Sequence, residues 1–198
     1  MSDQIRTLDA ARRWLTTLGV VPLTGGAPSL VHAVVGTAIR GSWWGHEDGG
    51  LIFDLSTALE QDPDVVVLRL VEGHQTFVHR ALWPALYGVL LSPVWVASAT
   101  RDLDDIAAEL LAEVMQHDGL RLDSWEGATG KRRIMAKDSL LERLLVDGKS
   151  EHTGGGTHQT VLRAWAAPEG VTPLPLKDAV TALQAACGGR SDALKHWG

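Results

Sequence analysis

Residues 132–165 read RRIMAKDSLLERLLVDGKSEHTGGGTHQTVLRAW, and how this stretch divides decides the fold. Ile134, Met135, Leu140, Leu141, Leu144 and Leu145 supply enough apolar positions for a buried helix over Arg132 to Leu145, entered from a basic segment. Leu145 to Thr153 and His158 to Trp165 then read as two extended stretches joined by Gly154-Gly155-Gly156-Thr157, a hairpin with a glycine turn. Upstream, Asp102 to Gln116 is amphipathic, with Ile106, Leu110, Leu111 and Val114 on one face and Asp118-Gly119 closing it. Leu120-Arg121-Leu122 is a short extended piece between the two helices. Helix, short strand, helix, strand, turn and strand is the order of a winged helix, a helix-turn-helix with a hairpin added.

The first half repeats that order in outline. Thr7 to Leu18 carries Leu8, Ala11, Trp14, Leu15 and Leu18 at helical spacing, and Gly19 stops it. A turn-rich connector from Pro22 to Ser29 leads to a helix capped by Ser29, with Leu30, Val31, Val34 and Val35 on its apolar face. Leu51 to Leu59 is helical in pattern and ends at Asp62-Pro63-Asp64. Val65 to Val71 is a strand, turning at Glu72-Gly73-His74-Gln75 to pair with Thr76 to Arg80. With Gly73 and His74 as the central turn residues, Leu70 is expected to face Phe77, and Leu68 to face His79.

The expected class is therefore α+β, with tandem winged-helix-like units and antiparallel hairpins. Residues 1–100 form one unit, 101–167 the second, and 168–198 a proline-marked linker followed by a helix over Leu176 to Cys187. The stretch Ala81 to Ala99 is broken by Pro84 and Pro93 and reads as a buried helix with an extended exit, not as a membrane span.

An apolar fraction of 45% with 21% charged residues provides for a sizeable core. The net charge of −6 argues against a surface that coats nucleic acid or an anionic membrane as a whole, so any nucleic-acid contact must be local. Cys187 stands alone, which excludes an internal disulfide and a finger-type zinc site. No leader pattern follows Met1, and the expected setting is the cytoplasm, without membrane, metal or cofactor.

Between Arg121 and Lys149 seven basic residues face five acidic ones, against the acidic balance of the rest of the chain. Lys131, Arg132, Arg133 and Lys137 cluster at the start of the prospective recognition helix, where phosphates and base edges are met. The wing, His152 and Thr153 through His158, would place two histidines opposite each other beside the adjacent groove. Arg40, Ser42, Trp43, Trp44 and His46 combine planar rings with hydrogen-bond donors, a set suited to stacking on a base, a nucleotide or a sugar. His79 is expected to share a face with Phe77 and Leu68, as a satisfied core histidine. The sequence holds no nucleophile elbow, Walker loop, dinucleotide fingerprint or zinc-protease helix, and catalytic residues remain unassigned.

Three segments carry a resemblance: Ile39-Arg40-Gly41-Ser42-Trp43-Trp44-Gly45-His46, Thr76 to Leu86, and the wing from Glu151 to His158. They resemble small bacterial AlkZ-related proteins, similar to non-repair relatives of the AlkZ/YcaQ DNA glycosylases. That resemblance, from about Leu30 to Trp165, implies tandem winged helices and association with DNA, in a repair setting. The related enzymes use a Gln-x-Gln or Gln-x-Asp in the active cleft, and Gln116-His117-Asp118 matches the second form by letter at the end of a helix. The expected function is a DNA-binding, repair-associated module with no chemistry of its own. The alternatives are a DNA glycosylase acting on alkylated bases and a protein-interaction winged helix.

Overall fold

The computed structural model describes residues 4–39, 41–152, 158–191, 193 and 194, with the backbone alone at 151, 152 and 158. The protein is a mixed α+β fold with two small antiparallel sheets of three strands. In the first half, α1 (Leu8–Leu18) leads to β1 (Val20–Pro22), α2 (Leu30–Val35), α3 (Gly49–Glu60), β2 (Val65–Val71) and β3 (His74–His79). Side-chain caps fix where the first two helices begin. Thr7 accepts the amide of Ala10, and Ser29 that of His32, each satisfying a donor that the first turn leaves open.

β1 is a strand that the sequence pattern does not announce. Only Val20 and Val21 precede Pro22, too few to show alternation, yet they pair with Val78 and Phe77. The sheet order is β1-β3-β2, so β3 is central and β2 is an edge.

The hairpin register differs from expectation. Val67, not Leu70, lies opposite Phe77, and Val65, not Leu68, lies opposite His79. Two things move it. Glu72 and Gly73, with φ of 51° and 70°, form the two-residue turn, one position earlier than expected. An irregularity between Leu68 and Val71 then shifts the pairing once more.

β3 is buried on both faces. Phe77 and Val21 point into a core made with α1, α2 and α3, through Leu15, Leu30, Ile52 and Leu59. Val78, Val20, Leu68 and Leu70 point the other way, into a larger core shared with the rest of the chain.

That larger core is built by α4 (Trp83–Leu90), α5 (Pro93–Thr100), α6 (Asp105–Gln116), α7 (Gly130–Glu142) and α8 (Leu176–Ala186). The expected extended exit after α4 is instead a helix. Ser92 accepts the Trp95 amide and Pro93 occupies the first turn, which is a helix start rather than a strand. The two helices meet at a 63° bend, and among the described residues no single helix is long and apolar enough to cross a membrane. α8 packs on α4 where Gly88 removes a side chain opposite Ala179.

The second sheet is β4 (Leu120–Arg121), β5 (Asp147–His152) and β6 (His158–Arg163), in the order β4-β6-β5. α6 is capped by Asp104, whose carboxylate accepts the Ala107 amide at 2.9 Å. α7 ends one turn earlier than the apolar pattern suggests. Leu144 takes a positive φ of 57°, its neighbour Leu145 donates back to Leu140 at 3.0 Å, and the Trp165 indole donates to the Leu144 carbonyl at 3.0 Å.

Candidate nucleic-acid interface

The four cations at the start of α7 have three different fates. Lys131 and Arg132 are exposed, and neither has an ion pair or hydrogen bond among the described residues. Arg133 turns back. Its Nε donates to the Ala128 carbonyl at 2.8 Å and its Nη1 to the Asp123 carbonyl at 2.9 Å, so it clamps the connector before the helix. Lys137 lies largely covered against Asp138, 3.1 Å away. The expected four-residue ridge therefore reduces to Lys131 and Arg132, flanked by Ile134 and Met135, which are 52% and 58% exposed.

The C-terminal half of the same helix is tied to the first sheet. Arg69 of β2 reaches Asp138 at 3.0 Å and Glu142 at 3.5 Å. Sequence reasoning passes over Arg69, although a lone charge within the strand Val65 to Val71 is a visible signal. Arg143 closes the helix end by donating to the carbonyls of Ala99 and Asp102.

In the wing, β5 and β6 pair out to His152 opposite His158, as the sequence suggests. Thr153, and the side chains of His152 and His158, lie outside the described residues, as does Arg40.

The remaining members of the aromatic set gather on a short 3-10 turn, Trp43–Gly45, whose Trp44 amide is capped by Ser42. Trp43 and Trp44 stack with centroids 4.3 Å apart, and Trp44 meets Phe53 of α3 at 5.5 Å. Trp43 is half-buried on the first core, whereas Trp44 is 64% exposed. His46 is held beside the rings by its Nδ1, which accepts the Asp48 amide at 3.1 Å. His46, Glu47 and Asp48 bring three ligand atoms within 4.8 Å, but Asp48 is already paired with Arg6 at 2.7 Å. A cavity of about 390 Å³ beside Trp43 is lined by His32, Thr37 and His74.

His79 stands apart from these rings and is not a core residue. It is partly exposed, caps the turn Arg80–Leu82 by accepting the Ala81 amide on Nδ1, and approaches the Thr16 hydroxyl with Nε2. It keeps the face of Phe77 but is the last residue of β3, where the chain leaves the sheet for that turn. Gln116, His117 and Asp118 are exposed at the end of α6 and take no part in lining the cavity beside Trp43. Cys187 is buried, and burial pushes its thiol up to about 12, which removes it as a nucleophile.

A groove of about 800 Å³, which the sequence gives no sign of, opens between the edge strands β2 and β5. Its polar lining includes Lys137, Asp147, Lys149, Arg163 and Tyr87. Burial holds the Asp147 carboxyl above its usual range, partly offset by Lys149 and Arg163. Burial also raises Tyr87, with a further push from the Asp147 charge. No protein-family model, curated protein or solved structure shows a match to this chain.

Proposed function

We propose that the chain is a DNA-binding protein built from two winged helices in tandem, associated with repair and without catalysis of its own. The observation that carries this is the recurrence of one strand order. Each half runs helix, strand, helical segment and hairpin, the segment being α2 and α3 in the first half and α7 in the second, and in each the first strand pairs with the third and the third with the second. This order supports a winged-helix reading, in which the helix before the hairpin enters the major groove.

In the second half this helix is α7, and its free N-terminal turns hold Lys131 and Arg132. A helix start also offers unsatisfied amides and a partial positive charge to a phosphate. The corresponding helix of the first half, α3, has no Lys or Arg and exposes Phe53 and Asp54. Contact is therefore assigned to the second unit, with the first serving as a brace through Arg69. Such a local footprint fits a chain whose overall charge is −6.

The test is the affinity for a short DNA duplex across ionic strength. The logarithmic slope is expected to fall by about 0.9 for each phosphate neutralised, and Lys131→Ala and Arg132→Ala each to remove about one unit of slope. Affinity that ignores salt would overturn this function. Ile134 and Met135, exposed beside the two cations, favour one second reading, a protein partner docked on the same turns. In that case Ile134→Ser abolishes capture of the partner while duplex DNA shows no binding to lose.

A further inference from the structure

We propose that the groove between β2 and β5 is a docking site for an extended acidic peptide, which adds as a strand to the free edge of β2. The backbone geometry supplies the first support. The His79 amide donates to Gly19 on the β1 side, at 2.9 Å, so His79 and its neighbour Val65 are not bonded to each other across the β2–β3 ladder. Alternation along an antiparallel pair then sends the N–H and C=O of Val66 towards β3, and those of Val67 outward. The Val65 amide is returned to the Asp62 carbonyl at 3.0 Å, but neither backbone group of Val67 has a described partner beyond the sheet. An outward, unpaired donor and acceptor on a straight run of valines is the template that strand addition uses.

The groove itself supplies the second support. Residues 65–69 of β2 form one wall, and residues 146–150 of β5 form the other. β2 and β5 are each the edge of a separate sheet and do not pair with one another. Five residues of strand span about 17 Å, the length of a short extended peptide.

Charge then selects the occupant. Arg69, Lys137, Lys149 and Arg163 line the groove with Glu60 and Asp147, and since Arg69 and Lys137 are already held by Asp138 and Glu142, the choice of occupant falls to Lys149. Lys149 is exposed and only loosely matched to Asp147, 3.9 Å away, so it is the cation most ready to meet an incoming carboxylate. Val66, Leu141, Tyr87 and Trp165 provide apolar wall between the charges. A peptide alternating acidic with β-branched residues presents one set of side chains to each requirement.

The experiment uses the full chain and a fluorescein-labelled peptide of sequence Asp-Val-Asp-Val-Asp-Val, followed by anisotropy. Saturable binding is expected, weakened about tenfold when the central valine of the peptide is replaced by proline, which removes a donor and bars strand pairing. Val67→Pro removes the outward amide without touching a ladder bond and should weaken binding to a similar degree. Lys149→Glu should lower affinity several-fold, whereas Lys131→Ala and Arg132→Ala, which report on DNA, should leave it unchanged. If Val67→Pro does not fold, hydrogen exchange at the Val67 amide of the unaltered protein decides, because strand addition must slow it. Binding that is equal for the proline-containing peptide, or that leaves Val67 exchange unaltered, is charge attraction alone and overturns the proposal. So does displacement of the peptide by single-stranded DNA without any protection of Val67, which would assign the groove to nucleic acid.

Discussion

Arg69 of β2 meets Asp138 of α7 at 3.0 Å, and its other terminal nitrogen lies 3.5 Å from Glu142, so one strand residue fastens the first sheet to two positions on the helix. All three side chains are about a third exposed or more, which screens their attraction. Arg69→Ala is therefore expected to cost only about 0.5–1 kcal/mol. Urea unfolding should show a lower midpoint with an unchanged slope, and a double-mutant cycle with Asp138→Asn should return a coupling of that size or less.

Arg133 and Arg132 are neighbours in sequence with opposite expected phenotypes. Arg133→Ala removes two charge-assisted bonds to carbonyls in the connector, and a loss of about 1.5–3 kcal/mol in unfolding free energy is expected. Arg132→Ala touches nothing described and should leave thermal stability within about 0.5 kcal/mol while lowering the salt dependence of duplex binding. Equal melting temperatures for the two variants would remove the clamp assigned to Arg133.

Leu144 sets two effects of opposite sign against each other. Its positive φ of 57° costs about 1 kcal/mol for a residue with a side chain, which glycine would recover. Its side chain is 1% exposed, and truncating a leucine so placed costs about 2–5 kcal/mol. Lost packing outweighs relieved strain, so Leu144→Gly should be destabilising in thermal melts despite the better backbone fit.

Gly88→Ala is expected to destabilise by about 1–3 kcal/mol, because an added methyl has no room. It would strike the Leu174 carbonyl and lie 2.8 Å from the Ala179 methyl, so α4 and α8 must part. A lower melting temperature, partly restored by Ala179→Gly, would confirm that this crossing is the cause.

Asp147 and Asp62 should push the pH dependence of stability in opposite directions. The folded protein raises the Asp147 pKa, mainly by burial, so it holds that proton more tightly than the unfolded chain does. This contribution is present in full below the unfolded value near 3.8 and is lost as pH climbs through the folded one. Asp62 is lowered by the Asp64 amide, with help from Arg12, so its contribution is present above 3.8 and is lost as pH falls through the folded value. Unfolding free energies measured in steps from pH 3 to pH 7 should gain from Asp147→Asn towards neutrality and lose from Asp62→Asn.

Much of the fold was legible because the start signals are local. Thr7, Ser29 and the acidic residues around Asp104 announce helices by their own side chains, the first hairpin follows from a valine-rich run broken at Gly73, and the second from the glycine turn between two extended stretches. β1 was not legible, since a strand of three residues is made by its partner β3 rather than by its own pattern. The hairpin register was missed because an irregularity within β2 leaves no mark in composition. For the cations, adjacency misled. Successive helical residues diverge by about 100°, so Lys131, Arg132 and Arg133 were never able to share one face, and only the connector carbonyls decide which of them turns inward. The groove lay beyond reach, because it belongs to two strand edges some eighty residues apart.

β3 is the common wall of two rooms. Phe77 furnishes one and Val78 the other, one residue apart on the same strand. Whatever loosens this wall from either side empties both, so the two halves of the chain, for all their repeated order, are bound to stand or fall as a single cooperative body.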